Sequence, residues 1–203
     1  MTTHKTILNE LRALAAPDLA AHSQRFFKTG PGEYGEGDRF LGLRVPTVRG
    51  VVKAHRDLPL DETLQLLMSP WHEARLAALL LMVSHYGRAT SEAVRQSVYR
   101  AYLDHTEYIN NWDLVDISAE HIVGAWLWTR DRAPLYRLAA STNLWERRIA
   151  MLATFHFVRK NEFGDTLELA ELLLDDREDL IHKASGWLLR EVGKRDGEAL
   201  RSF

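Results

Sequence analysis

Along most of its length the chain places apolar residues three and four positions apart, the spacing that gives a helix one buried face. The pattern runs through TILNELRALA, LDETLQLLM, WHEARLAALLLMVSHY, SEAVRQSVYRAYL, LWERRIAMLATFHFV, DTLELAELLL and DLIHKASGWLLREV. Strand-type alternation is absent, so the expected fold class is all-α. Pro46 starts one helix and Pro70 lies near the first turn of another, as proline prefers. Asp61 is a candidate N-cap, as are Thr90 and Ser91 for the next helix. The stretch YINNWDLVDISAEHIVGAW, residues 108–126, reads as one helix. Its apolar set Val115, Ile122 and Trp126 turns to the core, and Trp112, Asp116 and Glu120 form a different stripe. Glycine and proline cluster only in KTGPGEYGEGDRFLGLRVP, residues 28–46, which predicts one long loop.

The helices also repeat. HEARLAALL (72–80) aligns with WERRIAMLA (145–153), which sets Arg75 over Arg148, and DLIHKASGWLL (179–189) follows in kind. NNWDLVDIS falls midway between the first two. A helix-pair period of roughly 36 residues belongs to solenoids of the HEAT type, where stacked neighbours bury faces that no single pair can bury alone. The expectation is a single domain over 1–203, a superhelical array of HEAT-like antiparallel helix pairs with a concave groove. The alternative is an ordinary helical bundle.

Composition narrows the function classes. The chain has 203 residues, 46% of them hydrophobic, so it is long enough for a substantial core and too apolar for disorder. It has no cysteine, which excludes disulfides and thiolate metal sites and favours a reducing, intracellular (cytoplasmic) setting. The N-terminal segment is charged early and amphipathic, unlike a signal peptide, and no apolar run approaches a membrane span. Formal net charge is −2, so a nucleic-acid partner needs a local basic surface rather than a basic domain. The nine histidines lack ligand spacing, and no HExxH is present, so no metal site is expected. GPGEYGEG has neither a preceding strand nor a closing GK[ST], which argues against a phosphate cradle.

Two carboxylates stand out beside Trp112. Asp113 lies in the first helical turn, where the helix dipole favours an acid, with Asn110 or Asn111 as the cap. Asp116 lies beyond that turn, between Val115 and Ile117. It is either a solvated acid, the partner of an arginine, or a functional group on the stripe of Trp112. Trp187 follows Gly186 within a helix, where a tryptophan alone is usually core. Arg147 and Arg148 interrupt an apolar helix and suit either an acid (Asp113, Asp116 or Glu146) or a phosphate held by a bidentate fork. Lys28, Arg44, Arg49, Lys53, Arg75, Lys183, Arg190, Lys194 and Arg195 supply further positive charge.

Taken together and in order, KTGPGEYGEGDRFLGLRVPTVR, NNWDLVD, WERRIA and KASGWLLRE resemble the AlkD family of DNA alkylation-repair glycosylases, over about residues 20–200. The resemblance implies HEAT-like repeats curved around duplex DNA. It also implies hydrolysis of the N-glycosidic bond of cationic alkylpurines such as 7-methylguanine and 3-methyladenine, with no metal or organic cofactor. The catalytic aspartate of the family falls on Asp116, its groove tryptophans on Trp112 and Trp187, and its essential arginine on Arg148, with Arg147 as the other register. An aromatic that precedes a lysine falls on Phe26 or Phe27, ahead of Lys28, where the family can have tyrosine. DNA contacts would come from Arg147, Lys28, Arg44, Arg75, Lys183, Arg190, Phe26 and Phe27. The protein would work as a monomer. The competing readings are a DNA-binding helical array without chemistry and a protein-interaction solenoid.

Overall fold

The computed structural model describes residues 2–203. Among them there are helices and turns and no strand; one isolated bridge joins Arg39 to Trp71. The fold is all-α. The chain divides into two compact units, one reaching Leu114 and the other starting at Val115.

The N-terminal unit contains α1 (His4–Ala13), α2 (Pro17–Phe26), α3 (Val45–Ala54), α4 (Leu60–Leu67), α5 (His72–Arg88), α6 (Glu92–Leu103) and a 3₁₀ turn at Thr106–Tyr108. Prolines stand in the first turns of α2 and α3, where their missing N–H costs nothing. Helix α4 begins at Leu60 after Pro59, two residues too early for Asp61 to cap it; Asp61 instead lies in the first turn. Pro70 precedes α5, whose first residue is His72. Ser91 caps α6 by accepting from the Val94 amide. Helix α5 is the centre of this unit. It packs against α3, α4 and α6, and its Leu76, Ala77, Ala78, Leu79, Leu81 and Met82 are fully or nearly fully buried.

The long loop between α2 and α3 is pinned to α5 by a buried acid. The Glu73 carboxylate accepts from the amides of Leu41 (2.8 Å), Gly42 (2.8 Å) and Leu43 (3.0 Å). Gly42 has φ of +81°, and a Cβ there would lie 2.1 Å from the Ala16 carbonyl oxygen, so only glycine fits.

Helix α7 (Trp112–Asp116) carries the boundary between the units. The C-terminal unit continues with a π-helical turn at Glu120–Gly124, then α8 (Ala125–Leu127), α9 (Ala133–Ala139), α10 (Leu144–Ala153), α11 (Phe155–Val158), α12 (Gly164–Leu172), α13 (Asp179–Gly193) and α14 (Gly197–Ser202). The single helix expected over 108–126 is therefore broken after Asp116. Glu120 leaves the stripe of Trp112 and Asp116: it is buried and ion-paired with Arg159 at 2.7 Å. Val115, Ile122 and Trp126 are buried, as their spacing predicts. Helix α10 is the centre of this unit and packs against α9, α13 and the π turn. The π turn approaches α10 closely: a Cβ on Gly124 would lie 2.1 Å from the Ala153 carbonyl oxygen.

Candidate active site

In the C-terminal unit the structure joins two of the predicted residues directly. Arg148 lies on α10, whose apolar positions Ile149, Met151 and Leu152 are buried, and the arginine itself is buried with them. Its Nε and Nη2 donate to the two carboxylate oxygens of Asp116, each at 2.9 Å, and its Nη1 donates to the Leu180 carbonyl at 2.5 Å. This is the bidentate fork that guanidinium and carboxylate geometry favours. The Arg148 side chain is 6% exposed, but that of Asp116 is 20% exposed. The arginine is thus committed to the acid and to the start of α13, and a fifth of the Asp116 side chain remains exposed. The arginine-partner option for Asp116 is the one realised.

The neighbouring Arg147 turns elsewhere. Its Nε donates to Asp176 at 2.6 Å, and its Nη1 donates to the carbonyls of Ser141 and Thr142, both at 3.1 Å. It ties the loop before α10 to the segment before α13 and presents no fork outward. Trp187, on α13, is half-buried and meets Phe155 edge-on, with ring centroids 5.4 Å apart. Arg159 lies over Phe155, 4.6 Å from the ring centre.

The N-terminal unit holds an aromatic stack that ends in Trp112. The half-buried Trp112 ring lies nearly parallel to Phe27, at 5.3 Å and 22°. Phe27 lies on Phe40 (5.0 Å) and against His72 (5.0 Å), and Phe40 stacks on His72 at 4.5 Å. Phe26 meets Trp112 edge-on at 6.1 Å and is 58% exposed. The two aromatics before Lys28 therefore divide the work: Phe27 is a layer of the stack and Phe26 is its open edge.

A buried ionic network lies behind that stack. Asp38, from the long loop, accepts from Arg75 Nη2 (2.6 Å), Asn110 Nδ2 (3.0 Å) and Asn111 Nδ2 (3.4 Å). It also meets His72 Nδ1 at 3.2 Å, and the opposite ring nitrogen of His72 meets Asp113 at 2.8 Å. Burial pulls the His72 pKa down, but the charge of Asp113 and hydrogen bonds to Asp113 and Asp38 outweigh it and push it up to about 9. Burial raises the Asp38 pKa, yet hydrogen bonding to His72 and the charges of Arg75 and His72 bring it below the usual carboxylate range. Asp113 is therefore more than the first-turn acid its position suggests. Arg75 is 4% exposed and bonded to Asp38 and the Ser69 carbonyl, so it lends no charge to the surface.

Of the other predicted cations, Lys28, Arg44, Lys183 and Arg190 are exposed. Lys28 has a positive φ of 50° and lies over the Tyr34 ring, while Lys183 pairs with Asp179 at 2.6 Å. Lys194 and Arg195 both pair with Glu191. Among the described residues no group of three or more His, Asp or Glu could hold a metal ion, and no helix is long and apolar enough to cross a membrane. Sequence reading missed His72, Asp38 and Glu73. Their only signal was the unusual run HEAR at a helix start, together with an acid embedded in the glycine-rich loop.

The arrangement is that of an all-helical protein that mounts one partly open carboxylate on a buried arginine. A solved structure described as a predicted DNA alkylation repair enzyme from Enterococcus faecalis has the same fold, with a TM-score of 0.65 and 20% identity over 93% of this chain and 87% of that one. No protein of curated function matches the sequence. The sequence model of the DNA alkylation repair enzyme family matches residues 7–203, and the chain belongs to that family.

Proposed function

We propose that the protein is a DNA glycosylase that hydrolyses the N-glycosidic bond of cationic alkylpurines in duplex DNA. One observation carries this reading: Asp116 is forked by Arg148 while a fifth of its side chain stays open to solvent, on the same short helix as Trp112. Alkylation at N7 or N3 makes the purine a good leaving group. When the C1′–N bond breaks, the electron pair leaves with the base, which departs neutral, and C1′ becomes oxocarbenium-like. One carboxylate near C1′ stabilises that charge and orients the water that adds to it; the proton released goes to solvent. The face of Trp112, on the helix that carries Asp116, adds cation–π attraction to that centre, and Trp187 is the second tryptophan to which the family resemblance gives this role. Arg148, spent on Asp116 and a backbone carbonyl, is a positioning residue for the acid rather than a phosphate clamp.

The DNA itself would be held mainly through its phosphates. Lys28, Arg44, Lys183 and Arg190 are the exposed cations assigned to it, with Phe26 as an exposed aromatic edge. Because recognition reads positive charge on the base, neutral lesions such as uracil are not substrates.

The test is release of 7-methylguanine from a duplex carrying one lesion, set against an enzyme-free control. Asp116→Asn should keep DNA binding and lower release by roughly 10²-fold, the scale of a lost electrostatic stabiliser. Equal release by both proteins moves catalysis away from Asp116. Binding without release above spontaneous loss gives the protein a recognition role only.

A further inference from the structure

His72 has no part in the chemistry above, yet it is built into the molecule with unusual care. Its ring is 2% exposed and stands at the first position of α5, where the positive end of the helix dipole disfavours a cation. Both ring nitrogens nevertheless face carboxylates, Asp38 on one side and Asp113 on the other. A neutral imidazole has one donor and one acceptor, so it would turn a lone pair toward one of the two acids. Only the doubly protonated ring satisfies both. Charge counting agrees. The charged groups that face the ring are Asp38, Asp113 and Arg75, and two acids with one arginine are neutralised by one imidazolium. The other nearby carboxylate, Glu73, is occupied by three loop amides.

From this imidazolium two separate routes lead to Trp112. One is ionic: Asp113 is the next residue after Trp112, and Asn111, the residue before it, is tied to Asp38 while its Oδ1 accepts from the Trp112 amide at 2.9 Å. The other is a stack: His72 packs on Phe40 and Phe27, and Phe27 lies parallel to Trp112. The first route fixes the backbone of Trp112 on both sides, and the second fixes the plane of its ring. We propose that His72 is a positioning residue whose buried imidazolium holds the Trp112 face in its working orientation. The value of that orientation rests on the glycosylase reading, since a tryptophan that stabilises a sugar cation must present its face rather than its edge. The depressed proton affinity of Asp38 and the elevated one of His72 are what such a clamp requires.

The experiment uses protein labelled with 5-fluorotryptophan and with ¹⁵N-histidine. The Trp112 fluorine resonance is identified by its loss in Trp112→Phe. His72→Gln should shift that resonance, leave the Trp187 resonance in place, and slow single-turnover release of 7-methylguanine on the order of tenfold with DNA affinity unchanged, the scale expected for a misplaced group. At pH 8, where ordinary histidines are neutral, both His72 nitrogens should carry protons. If His72→Gln fails to fold, Asp113→Asn removes one arm of the clamp and should give the same fluorine shift. A singly protonated His72 at pH 8 would overturn the proposal, as would an unmoved Trp112 resonance with release within twofold of wild type. The two NMR readings need no activity. If wild type releases no base, the glycosylase reading fails while these readings still decide what His72 does.

Discussion

The buried imidazolium also makes a thermodynamic prediction. An imidazole ordinarily titrates near 6.5, and in the folded protein His72 is raised to about 9. Each pH unit of that difference corresponds to about 1.4 kcal/mol, so the folded state gains about 3 kcal/mol from the proton it holds. The sign follows from the upward direction. The contribution is fully present below pH 6.5, falls between there and about pH 9 as the unfolded chain gives up its proton and the folded one keeps it, and is gone above that. His72→Gln removes the titrating group but keeps similar size and hydrogen-bonding capacity. The wild-type advantage over His72→Gln should therefore shrink by about 3 kcal/mol between pH 6 and pH 9.5. Urea unfolding followed by circular dichroism at half-unit steps measures it. Other titrations cancel in the difference or fall outside the window. Burial lowers the pKa of His85 and His156, so their contributions are lost as the pH falls below about 6.5, and the depressed Asp38 acts only in acid. Parallel stability curves for the two proteins across this range would refute the charged clamp.

Three further outcomes test the division of labour among the arginines and lysines. Arg148→Lys keeps a positive charge but loses the fork; base release should fall at least tenfold while the salt slope of DNA binding stays as in wild type. Arg147→Ala strips Asp176 of its charged partner and two carbonyls of their donor; it should lower unfolding free energy by about 2–4 kcal/mol, read from denaturant midpoints, and leave release per folded molecule intact. Replacing Lys183 and Arg190 together with Ala should reduce the slope of log affinity against log salt by up to about 2, measured by fluorescence anisotropy; an unchanged slope removes them from the phosphate contacts.

The helical nature of the chain was legible because its signal is local: apolar spacing, prolines at helix starts and a serine cap all act within a few residues. The break after Asp116 was not, since Ile117, Ser118 and Ala119 all suit a helix, and the π-helical turn that follows lies where Gly124 fits closely against α10, a contact distant in sequence. The pairing of Asp116 with Arg148 was one of three acids open to that arginine, and sequence offered no means to choose among them. Asp38 and its four partners were out of reach altogether. They lie 34 to 73 residues apart in the chain, and none of them sits at a spacing that local rules recognise.

The alignment of Arg75 with Arg148 has a consequence beyond bookkeeping of repeats. Each arginine forks or reaches a carboxylate contributed by an earlier segment and anchors a spare nitrogen on a backbone carbonyl, Ser69 in one unit and Leu180 in the other. The mounts are alike but not identical, a fork on Asp116 and a single contact on Asp38, and the cover differs. Asp38 is 4% exposed and Asp116 is 20% exposed. One pattern has given a closed acid and a partly open one, set apart by how far the neighbouring chain covers the carboxylate. Exposing a second carboxylate in this scaffold would take no new residue, only a change in what packs around the glycine-rich loop that carries Asp38.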